Sequence, residues 1–314
     1  MPPDLNDFAI HAITLTPQQG LGIPVALVGA VFLALGAQFQ HRGVNKMEAH
    51  TAGPVRSGLS TYQLLLLLRR PSWVIGTLML GLAVALQLIS LGLAPLIVVQ
   101  PLGAIALVIT AILNARISKV RLERASIRAI VLCVGGIGIF VTIAAFTATS
   151  SPVSEGQLIA ILIILAVVTI AFALFFVYLR NRFKAIVYII GAGVLYGFVA
   201  TLAKVVIDRI KTLFIPTFHI GELEWLTVLC VVALLAAAGL GGYFVQSAYS
   251  SGPPDLVIAG LTVIDPLVAV TIGVVVLQEA AEAPWYAVVA FVVAGVIAVY
   301  GVLQLAKHHP QSQH

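Results

Sequence analysis

The chain has 314 residues, 61% of them hydrophobic and only 9% charged, with a mean hydropathy of +1.09. A soluble domain carries about a quarter charged residues, so a pair of ordinary water-soluble domains is excluded. The formal net charge of +5 does not describe a nucleic-acid surface either, because the basic residues are sorted by loop rather than gathered in one segment.

The first 20 residues carry Asp4 and Asp7 and lack the basic start of a signal peptide, so the first apolar stretch is expected to stay in the mature chain. Nine stretches are long enough to cross the hydrocarbon core as helices, near 22–41, 72–91, 95–115, 126–146, 157–179, 186–207, 225–248, 256–277 and 284–305. Helices satisfy the backbone in lipid, and the short alternating strands of a barrel are absent from the pattern. The fold class is therefore an all-α polytopic membrane protein, a single integral membrane domain over residues 1–314.

Taken in order, the first span holds Gly29 and Gly36, small residues suited to close helix packing. Five leucines and Arg69-Arg70-Pro71 follow in the first connection, and Pro71 and Trp73 mark the start of span 2 at an interface. Span 2 carries Gln87. Only Gly92 to Ala94 join it to span 3, so Pro95 makes the turn. Span 3 places Gln100 directly before Pro101-Leu102 and Asn114 near its end. Span 4 contains Cys133 and Gly135-Gly136-Ile137-Gly138, which is helix packing rather than a nucleotide loop, since no strand precedes it. Span 6 carries Lys204 one turn before Asp208, on the same helix face. The next loop holds His219, Glu222 and Glu224, whose spacing matches no zinc signature and reads as a solvated helix start. Span 7 carries Cys230, Tyr243, Gln246 and Tyr249. Span 8 follows Gly252-Pro253-Pro254 and sets Asp265 directly before Pro266-Leu267. Two cysteines inside spans give no disulfide framework.

With nine spans, fourteen basic residues fall on one side, in the first, third and fifth connections and at Lys307, against Arg209 and Lys211 on the other. The positive-inside rule then puts the N-terminus outside and the C-terminus in the cytoplasm, with a plasma (inner) membrane as the default. On that orientation the Gln87–Pro95–Gln100–Pro101 segment and the Gln246–Pro254–Asp265–Pro266 segment run in opposite directions. They form an inverted repeat: 22–146 (spans 1–4) and 186–305 (spans 6–9), joined by the span at 157–179. Paired broken segments of this kind point to a transporter's central binding site.

Arg70-Pro-Ser-Trp-Val-Ile-Gly76 and Leu93-Ala-Pro-Leu-Ile-Val-Val-Gln-Pro-Leu-Gly103 resemble the drug/metabolite transporter (DMT) superfamily. Within it, Ala94 to Leu113 is most similar to the NIPA-type magnesium transporters and their bacterial relatives. The Gly-Pro-Pro and Asp-Pro-Leu run ending at Gln278-Glu279 resembles the second repeat. The resemblance implies a nine-span transporter fold, and for the magnesium branch a divalent-cation substrate. At the two pre-proline positions this chain has Gln100 and Asp265, where that branch tends to carry a small hydroxylated residue.

Asp265 is the first candidate site residue. A carboxylate near mid-membrane costs roughly 2.5–3.5 kcal/mol, and a conducting or proton-relay role is its default reading, with interhelical packing as the alternative. Gln87, Gln100 and Gln246 can donate and accept, as a polar path requires. Lys204 either snorkels to the headgroups or turns inward, towards Asp265 or an anionic substrate. Pro95, Pro101, Pro254 and Pro266 are the expected helix breaks. The expectation is a secondary transporter of a small metabolite or drug-like solute, coupled to a proton or cation, with a NIPA-like Mg²⁺ transporter as the alternative. No enzyme chemistry and no cofactor are expected. The partners are the substrate and the lipid bilayer, without nucleic acid, and a homodimer stays open.

Overall fold

A computed structural model of the chain describes residues 17–48, 70–117, 123–149, 152–179, 185–213, 224–252 and 254–307. Their regular structure is helical throughout: α1 (Pro17–Glu48), α2 (Pro71–Leu93), α3 (Leu96–Gly103), α4 (Ile105–Ile117), α5 (Arg124–Thr147), α6 (Glu155–Leu179), α7 (Ala185–Leu213), α8 (Glu224–Ser251), α9 (Pro254–Val275) and α10 (Trp285–Lys307). Among the described residues, nine segments are long and apolar enough to cross a membrane, with α3 and α4 together forming the third. Each coincides with a span expected from sequence. The largest differences lie at the ends, as where the first span starts at Pro17 rather than near 22. The chain is a polytopic membrane protein.

The prolines explain the helix ends that matter. Pro71 opens α2, where its missing N–H belongs to the first turn and costs nothing. Ala94 closes the same helix in an extended conformation (φ −135°, ψ 159°), because the residue before a proline is pushed out of the helical region. Pro95 then caps α3. Inside α3, Pro101 has no N–H to return to the Ile97 carbonyl. The ladder tightens, Ala104 N–H donates to the Pro101 carbonyl at 3.2 Å, and α4 resumes at Ile105.

Helix α3 lies at the centre. Leu96, Ile97, Val98, Val99, Gln100 and Leu102 are buried, and α1, α2, α5, α7 and α9 all pack on it. Around it α1 pairs with α2, α7 with α8 and α9, and α5 with α10. The last pair meets backbone to backbone: a Cβ on Gly301 would lie 2.4 Å from the Cys133 nitrogen, and one on Gly136 2.6 Å from the Ala298 nitrogen. Small residues permit that approach where lipid supplies no hydrophobic drive.

One end of the bundle is stitched across its helices. Gln19 Nε2 donates to the Ala148 carbonyl (3.1 Å), Ser90 Oγ to the Gly22 carbonyl (2.8 Å), Thr149 N–H to the Glu279 carbonyl (2.8 Å), and Gln157 Nε2 to the Val276 carbonyl (3.0 Å). The Pro95 break sits at this end. At the opposite end, which carries Arg116, Arg124 and Arg128, a small cluster of Ala185, Ile189, Ala248 and Val257 stands apart from the main core. There α7, α8 and α9 pack on one another.

Candidate functional site

A cavity of about 430 Å³ lies beside α3, walled by α1, α2, α7 and α9. It brings together Gln87, Gln100 and Asp265, three of the residues singled out in the sequence, and adds Tyr196 from α7. Most of the remaining wall is apolar, from Gly29 and Leu33 on α1 to Val199 and Ala203 on α7. Gln100 is buried and Gln87 half-buried.

Asp265 is the singular group in this cavity. Its Oδ1 is buried and has no hydrogen-bond partner. Buried polar atoms are nearly always paired, and leaving one unpaired costs about 1–3 kcal/mol, more for a charged group. The oxygen therefore needs a proton, or a partner that reaches it when the site rearranges. Its helix is held close to α7 by two glycines: a Cβ on Gly193 would lie 2.7 Å from Ile264 Cβ, and one on Gly197 2.7 Å from Val268 Cβ. Tyr196 sits between them in sequence and reaches the same cavity. Pro266 leaves the Thr262 carbonyl on the cavity wall without its helical donor.

Lys204 neither snorkels nor faces Asp265. It is 3% exposed. Its Nζ donates to the carbonyls of Leu91 (2.9 Å) and Ala94 (3.3 Å) and pairs with Asp208 Oδ2 at 3.0 Å. A lysine at a helix C-terminus satisfies carbonyls that the helix leaves open, although here it comes from a different helix. Across the break Glu279, also 3% exposed, takes the first amides of α3: Leu96 N–H donates to Oε1 and Ile97 N–H to Oε2, both at 2.8 Å. Burial pushes the Glu279 carboxyl above its usual range, and the Ile97 and Leu96 amides and the Lys204 ammonium pull it part of the way back. Gln278, at φ 57°, turns the chain after α9 so that Glu279 faces the break.

Several sequence expectations need correction. Gln246 does not join the cavity. It lies exposed on α8, on the face that a membrane helix turns to lipid, as do Tyr243 and Tyr249. Pro266 sits inside α9 without ending it, whereas Pro254 opens α9 after α8 ends at Ser251, so Pro95, Pro101 and Pro254 stand where the helical course is interrupted. Asn114 is buried and accepts a hydrogen bond from Gln38 Nε2, a partner that the sequence did not suggest. Glu279 was legible only as the end of a motif. Its signal was an acidic residue two positions after a long apolar run. Asp4, Asp7, His219 and Glu222 lie outside the described residues, and among those described no three His, Cys, Asp or Glu side chains converge as a metal site.

Residues 18–310 match the family described as magnesium transporter NIPA. An uncharacterized protein of Corynebacterium glutamicum is 28% identical over 260 residues, covering 82% of this chain and 85% of its own length. No solved structure matches.

Proposed function

The chain belongs to the NIPA magnesium transporter family, and from that premise we propose that it carries Mg²⁺ or a related divalent cation across the membrane. The observation that carries this reading is the buried, unpartnered Oδ1 of Asp265 in a cavity shared with Gln87, Gln100 and Tyr196. Mg²⁺ sheds its water reluctantly and is usually held through one or two carboxylates. One carboxylate with neutral amides and a phenol around it suits an ion that keeps most of its hydration shell, with water bridging to Gln87 and Gln100. Asp265 supplies the charge. The amides orient the water.

We read the transport as alternating access, built on the inverted repeat of spans 1–4 and 6–9. The packing supports this: α1 on α2 is mirrored by α7 on α8, and α1 on α3 by α7 on α9, while α5 and α10 pair across the repeat. The hydrogen bonds of Gln19 and Gln157 across the stitched end support a cavity closed on that side. By the positive-inside rule the arginine-rich end is cytoplasmic.

A second reading, a secondary transporter of a small organic solute, is favoured by the volume and apolar walls of the cavity, which fall in the range of small-molecule sites. Purified protein in liposomes separates the two. Mg²⁺ influx into dye-loaded vesicles, lost in Asp265→Asn while the unfolding midpoint is kept, is the expected result. Wild-type vesicles that take up no divalent cation but accumulate one class of organic solute overturn it in favour of the second reading.

A further inference from the structure

The break between α2 and α3 exposes two sets of backbone groups that neither helix can pair for itself: carbonyls at the end of α2 and amides at the start of α3. In membrane transporters with discontinuous helices these are ion sites, the carbonyl end for a cation and the amide end for an anionic group. In this chain both are filled from within. The two oxygens of Glu279 hold the amides of Leu96 and Ile97. The Lys204 ammonium lies among the Leu91 and Ala94 carbonyls and Asp208, at 2.9, 3.3 and 3.0 Å.

We propose that Lys204 is a tethered cation: its ammonium occupies an oxygen cage that would otherwise bind a free monovalent cation, so that this part of the fold needs no co-ion. Three observations carry the assignment. The oxygens come from two separate helices, α2 and α7, and converge on one nitrogen, as ligands around an ion do. The lysine is buried and comes from neither of the helices that flank the break, so it is not an ordinary cap on its own helix. The cage distances suit an ammonium or a large monovalent ion, whereas Mg²⁺ demands oxygens at about 2.0–2.1 Å. The cage also adjoins the cavity, because Leu91 lines the cavity wall and gives its carbonyl to Lys204.

Lys211 stands at the exposed rim of the same cage. It donates to the Gly92 carbonyl and lies 3.7 Å from Asp208 Oδ1, so it is placed to move in when Lys204 is removed. The test therefore uses the purified full-length protein as Lys204→Ala, as Lys204→Ala with Lys211→Gln, and as Lys204→Met, all expressed and purified in ammonium salts. Unfolding midpoints are compared in choline, sodium, potassium, ammonium and methylammonium at equal ionic strength.

The wild type is expected to show one midpoint in all of these. Lys204→Ala is expected to fall in choline and to recover by about 3 °C or more in methylammonium, with a larger recovery in the double variant. Lys204→Met keeps the packing of the stem and is expected to recover in ammonium but not in methylammonium. Variants that unfold alike in every salt, or that fold in none, overturn the proposal, since a purely structural lysine cannot be replaced by a dissolved ion. This readout involves neither magnesium nor flux, so it fails separately from the transport reading. Only the consequence for coupling rests on that reading: Mg²⁺ uptake unchanged when choline replaces sodium supports it, and uptake lost in choline overturns it.

Discussion

The two proline turns come from the same sequence pattern and end in different environments. At Gly92–Pro95 the chain reverses inside the protein: Leu91 and Ala94 are fully buried, and side chains from two distant segments close the open backbone groups. At the α8–α9 junction Ser250 and Ser251 are exposed and their hydroxyls donate back to the Ser247 carbonyl at 2.9 and 2.7 Å, while a Cβ on Gly252 would lie 2.4 Å from Ala185 Cβ. A buried turn must be supplied with partners, and an exposed one takes them from water. The same motif is therefore served by a lysine and a glutamate in one half of the molecule, and among the described residues of the other half by the serine hydroxyls of α8. The pre-proline residues divide in the complementary sense: the half with the internally paired turn carries neutral Gln100, and the half whose turn follows the exposed serines of α8 carries Asp265.

The largest effect expected from breaking this contrast lies at the pre-proline positions. Asp265→Asn should reduce Mg²⁺ uptake in liposomes to background, while Gln100→Ala should reduce it only about three- to tenfold, the loss of one neutral hydrogen bond of roughly 0.5–1.5 kcal/mol. Equal losses at both would remove the distinction between the two halves. Next comes the buried turn itself. Glu279→Ala leaves the amides of Leu96 and Ile97 without acceptors and should destabilise the protein by about 2–5 kcal/mol in denaturant titrations, whereas Ser251→Ala at the exposed end of α8 should change stability by less than about 0.5 kcal/mol.

Two smaller effects sharpen the comparison. Gln278 holds a left-handed conformation that glycine adopts freely. Gln278→Gly should stabilise by up to about 1 kcal/mol, read as a higher unfolding midpoint, and a lower midpoint would mean that the side chain matters more than the strain. The smallest effect is in pH. The Glu279 carboxyl lies above its usual range, chiefly through burial, so its contribution is fully present below the ordinary glutamate pKa and is lost as pH rises through the raised one. The gap in midpoint between the wild type and Glu279→Gln should accordingly narrow as pH rises. A gap that widens reverses the sign.

Much of this architecture was legible because lipid imposes a simple code. Apolar length gave the nine spans, and proline gave the turn at Pro95. A carboxylate beside a proline in mid-membrane marked Asp265, and the cavity unites it with Gln87 and Gln100. Gln246 was misplaced for a geometric reason. Matching it to Gln87 by motif ignores helix phase, in which each residue of offset turns a side chain by about 100°, and α8 presents it outward. Lys204 was visible as a charge in a span, but its carbonyl partners belong to another helix and have no side-chain identity to read. Glu279 was harder still, since acidic residues after a span ordinarily meet water. Only the tertiary approach of the α9–α10 loop to the start of α3 makes it an internal group.

The depth of Asp265 has an electrical consequence. It stands halfway along α9, within a hydrocarbon layer about 30 Å thick. Moving one elementary charge across the whole membrane is worth about 2.3 kcal/mol per 100 mV. On the divalent-cation reading, an ion that travels half that distance from the more positive side gains about 2.3 kcal/mol per 100 mV before any ligand is counted, as much as one charge crossing the whole layer. That is roughly a forty- to fiftyfold change in binding constant, which would make the filling of this cavity a function of voltage as much as of concentration.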